Sequence, residues 1–267
     1  MITSTKNYQI KNISLLQKKA SKRKADWLFV IEGIRAVSEV PYNLLQSVYI
    51  TSELLSSESG ATFIAQIKKE APHVVVEEVS SNVYAAMSDT VSPQGLLAVV
   101  KMCDYTMEQV LGEDQGVTPH VIILESLQDP GNMGTIIRTA LGAGATGIIM
   151  NNTTVDIYSP KVVRSTMGAI FKMPHIVVDD LHATMEELKA KGVKLYAAHL
   201  KGEKFYDEFD YTVGCGFLIG NEGNGLTKET ADRASEYLKI PMEGGLESLN
   251  ASVAAAILMY ETHRQRG

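Results

Sequence analysis

The chain has 267 residues, of which 45% are apolar and 21% are charged. This composition excludes a disordered, collagenous or coiled-coil protein, and the length predicts two domains or one large one. Two cysteines, Cys103 and Cys215, are too few for a disulfide framework or a cysteine-based zinc site. No apolar run approaches the roughly 20 residues that cross a bilayer. Because residues 1–24 also lack the apolar core of a signal peptide, we expect a cytoplasmic protein with no membrane partner.

Charge is distributed unevenly along the chain. The formal net charge is -6, but residues 1–24 carry seven lysines and arginines and no acidic residue. A basic end on an acidic body is suited to a localised contact with phosphates, because each neutralised phosphate releases counterions. The alternative is an ordinary solvated helix face. The candidate RNA-binding residues of this segment are Lys18, Lys19, Lys22, Arg23 and Lys24.

The first hundred residues alternate between helical and strand-like patterns. Residues 7–24 are predicted to form one amphipathic helix, with Ile10, Ile13 and Leu16 at helical spacing. A second helical pattern covers residues 61–70. Strands are predicted at residues 27–31, 47–51, 73–79 and 95–101. We therefore expect a small α/β domain over residues 1–103.

A polar segment, residues 104–118, is predicted to be a linker. After it the alternation restarts, and a second domain is expected over residues 119–267. Its apolar strands are predicted at residues 121–124, 147–150, 176–178, 194–198 and 217–219. Continuous apolar strands separated by helices indicate a mostly parallel sheet covered on both faces.

Residues 142–147, GAGATG, have the spacing of a dinucleotide-binding fingerprint. Such a fingerprint follows a strand and opens a helix, whereas this one ends the helical pattern of residues 132–141 and leads into a strand. The glycines are better explained as residues of the helix C-terminus and the following turn. We therefore expect no Rossmann nucleotide site here.

Three other segments follow predicted strands and combine glycine with polar side chains. The first, residues 127–140, carries Asn132 and Arg138, whose six-residue spacing separates them around a helix unless Asn132 lies in the preceding loop. The second, residues 218–226, is glycine-rich and contains Glu222. In the third, residues 240–261, Ser248 and Asn250 are predicted helix N-caps before an apolar helix over residues 251–260. Each residue alone has an ordinary structural explanation, but together they lie where open α/β sheets bind ligands.

These three segments resemble the three motifs of the SpoU (TrmH-like) family of RNA ribose 2′-O-methyltransferases, in the SPOUT superfamily. The resemblance implies a C-terminal α/β domain with a deep trefoil knot. The first hundred residues resemble the substrate-binding domain that often precedes it, which is similar to the ribosomal L30e/L7Ae fold. The residues that carry this second resemblance are FVIEGIRAV, 29–37, and DTVSPQGLLAVV, 89–100.

The resemblance implies S-adenosylmethionine as methyl donor, bound by Gly220, Ile240 and Leu249. Because the donor is already activated, no metal is expected. The implied catalytic residues are Asn132, Arg138, Glu222, Ser248 and Asn250. Arg138 matches the family's catalytic arginine. A general-base role has been proposed for that arginine, although a guanidinium rarely loses its proton. The alternative is a clamp on the neighbouring RNA phosphate, which needs no deprotonation. The resemblance also implies a homodimer formed through the knotted domain.

The leading hypothesis is a methyltransferase acting on ribosomal RNA, with large-subunit RNA favoured. The alternatives are a tRNA ribose methyltransferase, a base methyltransferase of the same superfamily, and an RNA-binding ribosome assembly factor without activity. A self-protection enzyme of an antibiotic producer is a variant of the first hypothesis.

Overall fold

The computed structural model describes residues 1–90, 92–199 and 202–267. It divides into two compact units. The first consists of Met1–Cys103 together with Asp156–Phe171, and the second of Asp104–Val155 together with Lys172–Gly267. Val91, within the segment that resembles the family's substrate-binding domain, lies outside the described residues.

The first unit is an α/β unit built on a four-stranded sheet within the described residues. The order is β1-β4-β2-β3, in which only the β2–β3 pair is parallel. The strands are β1 Leu28–Glu32, β2 Leu45–Thr51, β3 Val75–Val79 and β4 Leu96–Lys101. The helices preceding the second unit are α1 Tyr8–Lys18, α2 Ala20–Asp26, α3 Ile34–Ser38, α4 Ser52–Leu55, α5 Glu58–Glu70 and α6 Ser81–Met87.

The second unit contains a parallel sheet of seven strands in the described part of the chain, ordered β7-β6-β5-β10-β8-β11-β9. The strands are β5 His120–Leu124, β6 Gly147–Asn151, β7 His175–Val178, β8 Lys194–Ala198, β9 Lys204–Phe205, β10 Cys215–Ile219 and β11 Glu236–Lys239. The helices from residue 104 onward are α7 Met107–Leu111, α8 Pro130–Gly142, α9 Pro160–Thr166, α10 Leu181–Ala190, α11 Lys228–Asp232 and α12 Ala251–Arg266. Of these, α9 belongs to the first unit.

The central strands β5 and β10 are buried along their whole length. This is expected of parallel strands covered on both faces, and it confirms the predicted mostly parallel sheet. In the GAGATG segment, Gly144 has φ 71°, the left-handed turn that only glycine adopts at low cost. Gly147 instead starts β6 so close to α7 that a Cβ would lie 2.6 Å from the carbonyl oxygen of Val110.

The basic N-terminal segment differs from the predicted single helix, because α1 ends at Lys18 and Lys19 is extended. Arg23 explains the break. Its guanidinium donates to the carbonyls of Leu16 (2.6 Å) and Gln17 (3.1 Å), and to Asp156 (2.5 and 2.8 Å). These bonds satisfy carbonyls that a helix end leaves without partners. Arg23 is 4% exposed, so the prediction that it contacts RNA is wrong.

Residues 156–171 leave the predicted second domain and complete the first unit. Asp156 forms the ion pair with Arg23. Tyr158 packs on Phe29 at 4.8 Å between ring centroids, and its hydroxyl accepts a hydrogen bond from the backbone of Cys103 (2.9 Å). The polarity of the sequence around residues 156–171 does not indicate that they belong to the first unit. These contacts of Asp156 and Tyr158 are with residues more than fifty positions away.

The segment predicted as a linker, residues 104–118, belongs to the second unit and contributes two residues to its core. Its helix α7 begins with a capping box formed by Thr106 and Gln109. Val110 and Leu111 are fully buried beside β5 and β6. Two apolar residues in a polar stretch are enough to anchor one short helix when they pack against a sheet face.

In the described residues, no helix is long and apolar enough to span a membrane.

Candidate active site

A cavity of about 370 Å³ lies at the carboxyl ends of the parallel strands of the second unit. Such crevices are the usual ligand sites of open α/β sheets. Its walls come from the residues after β8, β10 and β11. All three predicted cofactor residues, Gly220, Ile240 and Leu249, line it.

Gly220 is required where the loop after β10 turns back on itself. A Cβ at this position would lie 2.2 Å from the carbonyl carbon of Gly225, a distance no side chain tolerates. Asn221 and Gly225 exchange two backbone hydrogen bonds (3.0 and 2.8 Å) that close the loop. The side chain of Asn221 also accepts from the amide of Gly223 (3.0 Å) and donates to the carbonyl of Ser126 (3.0 Å). The loop is therefore a rigid, backbone-lined wall.

Glu222 projects from this loop onto the start of α8. Its carboxylate accepts hydrogen bonds from the backbone amides of Gln128 (3.0 Å) and Asp129 (2.8 Å) and from Nδ2 of Asn132 (3.0 Å). Partial burial on its own would raise the pKa of Glu222, but these hydrogen bonds outweigh it and the pKa lies below its ordinary value. Glu222 is therefore an ionised acceptor whose carboxylate is already engaged.

Asn132 connects Glu222 to the third segment. Its Oδ1 accepts from Nδ2 of Asn250 (3.0 Å), and Oδ1 of Asn250 accepts from the backbone amide of Ser252 (2.9 Å) at the start of α12. Because an ionised carboxylate only accepts, the orientation of each amide in this chain is fixed. Three of the five predicted catalytic residues thus form one hydrogen-bonded chain.

Arg138 is not part of that series of hydrogen bonds. Asn132 lies within α8, which is capped by Asp129, and not in the loop before it. The six-residue offset therefore leaves Arg138 on a different side of the helix, at about 100° per residue. Asn132 is 8% exposed, whereas Arg138 is exposed and forms no hydrogen bond or ion pair with another described residue. The structure does not bring Arg138 to the other site residues of its own chain.

Ser248 is not a helix cap, contrary to the prediction. Asn250 alone caps α12, with its side chain bonded to the amides of Ser252 and Val253. Ser248 is exposed in the preceding loop, where it lines the cavity. Ser248 is therefore a residue of the cavity wall and does not start the helix. The helix itself extends to Arg266, beyond the predicted end at residue 260.

Sequence reasoning missed two residues directly after β5. Ser126 has φ 56°, a left-handed conformation held by a hydrogen bond from its amide to Asn151 (2.9 Å). Glu125 is 7% exposed and accepts from the amide and hydroxyl of Thr227, both at 2.8 Å, and from the hydroxyl of Thr230. An acid ending a wholly apolar strand was the available signal for Glu125. It ties β5 to the end of the glycine-rich loop.

Glu125→Ala is expected to loosen that loop. The substitution removes the acceptor of the buried Thr230 hydroxyl and of the partly buried amide and hydroxyl of Thr227. A buried group left unsatisfied costs about 1–3 kcal/mol. We expect the amides of residues 221–227 to exchange with deuterium about tenfold faster. Glu229→Ala, at an exposed acid nearby, is the control and is expected to leave the exchange unchanged. Equal exchange in the two variants would contradict a role for Glu125 in holding the loop.

The fold and the cavity define an α/β protein that binds a small molecule at the carboxyl ends of a parallel sheet. Residues 119–260 match the SpoU rRNA Methylase family, and residues 7–98 match the MRM3-like substrate binding domain. The chain belongs to the SpoU rRNA methylase family, as the three segments predicted.

Relatives and solved structures agree with this assignment over nearly the whole chain. The chain is 32% identical to the 23S rRNA (guanosine(2553)-2′-O)-methyltransferase RlmP of Bacillus subtilis, covering 97% of each. It is similar to the SpoU methyltransferase AviRb of Streptomyces viridochromogenes in complex with AdoMet (TM-score 0.86, 25% identity, 98% of each chain). It is also similar to an AdoMet-bound rRNA methyltransferase from Sinorhizobium meliloti (TM-score 0.82, 28% identity, 98% of this chain and 97% of that one).

Proposed function

We propose that the chain is an S-adenosylmethionine-dependent RNA ribose 2′-O-methyltransferase that acts on large-subunit ribosomal RNA. The observation that carries the proposal is the hydrogen-bonded chain Glu222–Asn132–Asn250 at the edge of the cavity. The names of the relatives support the reaction, and the separate unit that matches a substrate binding domain supports a large structured RNA.

The cavity suits S-adenosylmethionine by size and by lining. Pockets for ligands of this class are typically about 300–1,000 Å³ and mostly apolar, with a few polar groups. Ile240 and Leu249 supply aliphatic surface for the adenine, and the loop around Gly220 brings backbone groups close to the ligand. When bound, the donor supplies an activated methyl group for the ribose oxygen. In the described residues, no cluster of three or more His, Cys, Asp or Glu is placed to hold a metal.

Gly220→Ala is expected to weaken S-adenosylmethionine binding about 100-fold, which corresponds to about 2.7 kcal/mol. The added Cβ would force the loop away from Gly225 and deform the cavity wall. Gly223→Ala is the matched control, because its Cβ would meet only Oδ1 of Asn221 at 3.6 Å, an ordinary contact. Isothermal titration calorimetry measures both affinities. Similar affinities for the two variants would show that the loop does not shape the binding site.

In this proposal Arg138 acts on the RNA. A guanidinium presents a planar fork to a phosphate and stabilises negative charge developing on the attacking ribose oxygen, without giving up its own proton. Glu222 orients Asn132 and is a poor proton acceptor, because its oxygens already accept three hydrogen bonds. The hydrogen bond between Asn132 and Asn250 holds the start of α8 next to the start of α12. Ser248 offers a hydroxyl to the ribose or to the donor.

RNA contacts are proposed for the exposed lysines of the N-terminal segment, Lys18, Lys19 and Lys24, and for the half-buried Lys22, which also pairs with Asp26. The first unit is proposed to have the L30e-like fold. A trefoil knot is proposed for the segment between β10 and α12. Its support is that the residues after β10 and those after β11 line one cavity, although β11 lies beyond β8 in the sheet.

A homodimer is proposed through the exposed side of α8 and α12. Leu141, Val253 and Tyr260 are 37%, 48% and 51% exposed. The two helices pack together, and a Cβ on Gly142 would lie 3.4 Å from the Tyr260 hydroxyl. An unpartnered apolar patch of this kind marks an interaction surface. A partner on this face would also bring a second copy of α8, with its exposed Arg138, toward the site.

Tyr260→Glu is expected to convert this dimer into monomers, because a charge in the centre of an apolar interface is desolvated without a partner. Light scattering should then give a mass of 29.1 kDa in place of twice that value. Val177→Glu, at an exposed apolar residue on β7, is the control and should leave the dimer intact. A monomeric wild-type protein at micromolar concentration would contradict the proposal.

The test of the function is incubation of the full chain with S-adenosylmethionine and ribosomal RNA that lacks native modifications. Ribose methylation is mapped by resistance to alkaline hydrolysis. One new protected linkage in large-subunit RNA is the expected result. A mark found only on tRNA would favour the tRNA alternative. Binding of S-adenosylmethionine and RNA with no mark on any RNA would favour an assembly factor.

A further inference from the structure

A second groove lies in the first unit, on the sheet face that α1 covers. It has a volume of about 220 Å³ and is bounded by the first turns of α1 and by residues of all four strands. Its floor is apolar and is formed by Ile13, Leu28, Tyr49 and Val99. Of these, Ile13, Tyr49 and Val99 are at most 5% exposed and belong to the core beneath α1.

Side-chain amides converge on the rim of this groove. Gln9 and Asn12 come from α1, and Gln46 comes from β2. None of these three amide groups forms a hydrogen bond with another residue in the described part of the chain. Amides recognise nucleobases because each presents a donor and an acceptor side by side. The rim therefore offers unused recognition groups above an apolar floor.

Gln46 reaches the groove because of a β-bulge. Leu45 pairs with Val100 and Ser47 pairs with Val99, so Gln46 is the extra residue between them. In a regular strand Gln46 would face away from Ser47 and Tyr49, both of which also line the groove. Bulges re-aim single side chains and are frequent beside functional sites. The bulge therefore places the Gln46 side chain on the face of the sheet that carries the groove.

An exposed aromatic ring and two lysines lie at or near the groove. Tyr8 lines the groove and is 80% exposed. Lys11 lies three residues further along α1, next to Tyr8 on the helix surface, and Lys101 follows Val99 on the same face of β4. Glu77, which neighbours Tyr49, is an acid on this face. Glu32 lies on the same face of β1 but is buried and accepts hydrogen bonds from Tyr84 and Ser88. A carboxylate over the floor repels a phosphate but can accept from a base amino group.

We infer that this groove binds an unpaired nucleobase of the RNA substrate, with Tyr8 stacking on the base and the amides of Gln9, Asn12 and Gln46 contacting its edge. Single-stranded RNA is recognised in this way, by aromatic stacking and by hydrogen bonds to exposed base edges. The phosphates on either side of the base meet Lys11 and Lys101. The inference rests on the proposed function, since it assigns the substrate-contacting surface of the same enzyme.

The test measures binding of a fluorescein-labelled single-stranded RNA of eight nucleotides to the full chain by anisotropy, across a series of salt concentrations. Loss of a base–aromatic stack costs about 1–3 kcal/mol, so Tyr8→Ala is expected to weaken binding about tenfold. Its salt dependence should match that of the wild type, because no phosphate contact is lost. Lys11→Ala should instead lower the salt slope by about one. Tyr8→Phe should bind normally, and Gln46→Ala should bind less tightly.

Leu15→Ala is the matched control, since Leu15 is 39% exposed on the same helix but does not line the groove. The substituted side chains are at the surface, so thermal unfolding should be unchanged. Crosslinking of the same RNA containing 4-thiouridine should label peptides that contain Tyr8. Wild-type affinity in both Tyr8→Ala and Gln46→Ala, or crosslinks only elsewhere, would overturn the inference.

Different outcomes bear on the groove and on the enzymatic activity. If the wild type methylates ribosomal RNA while Tyr8→Ala binds RNA normally, the groove assignment is overturned and the enzymatic proposal stands. If the Tyr8 variant loses RNA binding but the wild type transfers no methyl group to any RNA, the groove is supported and the enzymatic proposal fails.

Discussion

Replacing Arg138 by alanine is expected to lower the rate of ribose methylation by about 10²–10³-fold, the usual cost of removing one group that stabilises developing charge. Binding of S-adenosylmethionine should not change, because Arg138 does not line the cavity. Arg138→Lys should remain strongly impaired, since lysine keeps the charge but lacks the planar fork. The rate is measured in single turnover with saturating RNA. Full activity in Arg138→Lys would contradict the clamp.

The position of Arg138 also indicates which of the two subunits uses it. Within one chain it is exposed and apart from Asn132, so the proposed dimer must supply it to the partner's site. A mixed dimer of one Arg138→Ala chain and one Asn132→Ala chain would then contain one intact site and one doubly defective site. Two affinity tags isolate this species after coexpression. We expect about half of the wild-type activity.

The mixed dimer also contains its own control. If Arg138 acted within its own chain, each of the two sites would carry one defect and the mixed dimer would be as inactive as either parent. Recovery of activity therefore requires action across the interface. An inactive mixed dimer of confirmed composition would contradict the crossed arrangement while leaving a role for Arg138 in the reaction.

Replacing Asp156 by alanine is expected to destabilise the first unit by about 3 kcal/mol. Removing one partner of a buried ion pair leaves the other charge desolvated and uncompensated, which typically costs about 3–5 kcal/mol. Arg23 has only 5% of its side chain exposed, and in the variant it keeps only its bonds to two carbonyls at the C-terminal end of α1. Hydrogen exchange of α1 and α2 in the full chain measures the loss.

Asp89→Ala is the matched control for Asp156→Ala. Asp89 also pairs with an arginine of the first unit, Arg164 at 3.2 Å, but both side chains are more than 40% exposed. Exposed ion pairs contribute about 0–1 kcal/mol, so exchange in this variant should be close to that of the wild type. Equal effects of the two substitutions would show that burial of the Arg23–Asp156 pair is not what stabilises the unit.

The parts of the molecule that the sequence predicts well are those governed by local pattern. The apolar runs of β5 and β10 predict buried parallel strands, and segments that follow parallel strands must meet at one edge of the sheet. That rule is enough to bring Asn132, Glu222 and Asn250 together. Gly220 follows from the same logic, because a glycine directly after a buried strand indicates a close backbone approach.

The features that the sequence does not predict depend on partners distant in the chain. Arg23 is one of seven cations in the N-terminal segment, and nothing local distinguishes it from the exposed lysines. Its burial depends on Asp156, more than a hundred residues away. The same holds for Val110 and Leu111, whose polar neighbours suggest a linker until a sheet face is available to cover them. Arg138 is a further case, because the side of α8 on which it lies depends on whether Asn132 is inside the helix or in the loop before it.

The assignment of residues 156–171 to the first unit bears on how such proteins can be recombined. The chain changes unit three times, after Cys103, after Val155 and after Phe171. A chimera that exchanges only the N-terminal 103 residues between relatives would pair a foreign sheet with the host's own Asp156 and Tyr158. Exchange of specificity by grafting therefore requires two inserts, and the short internal one must come from the same donor as the long one.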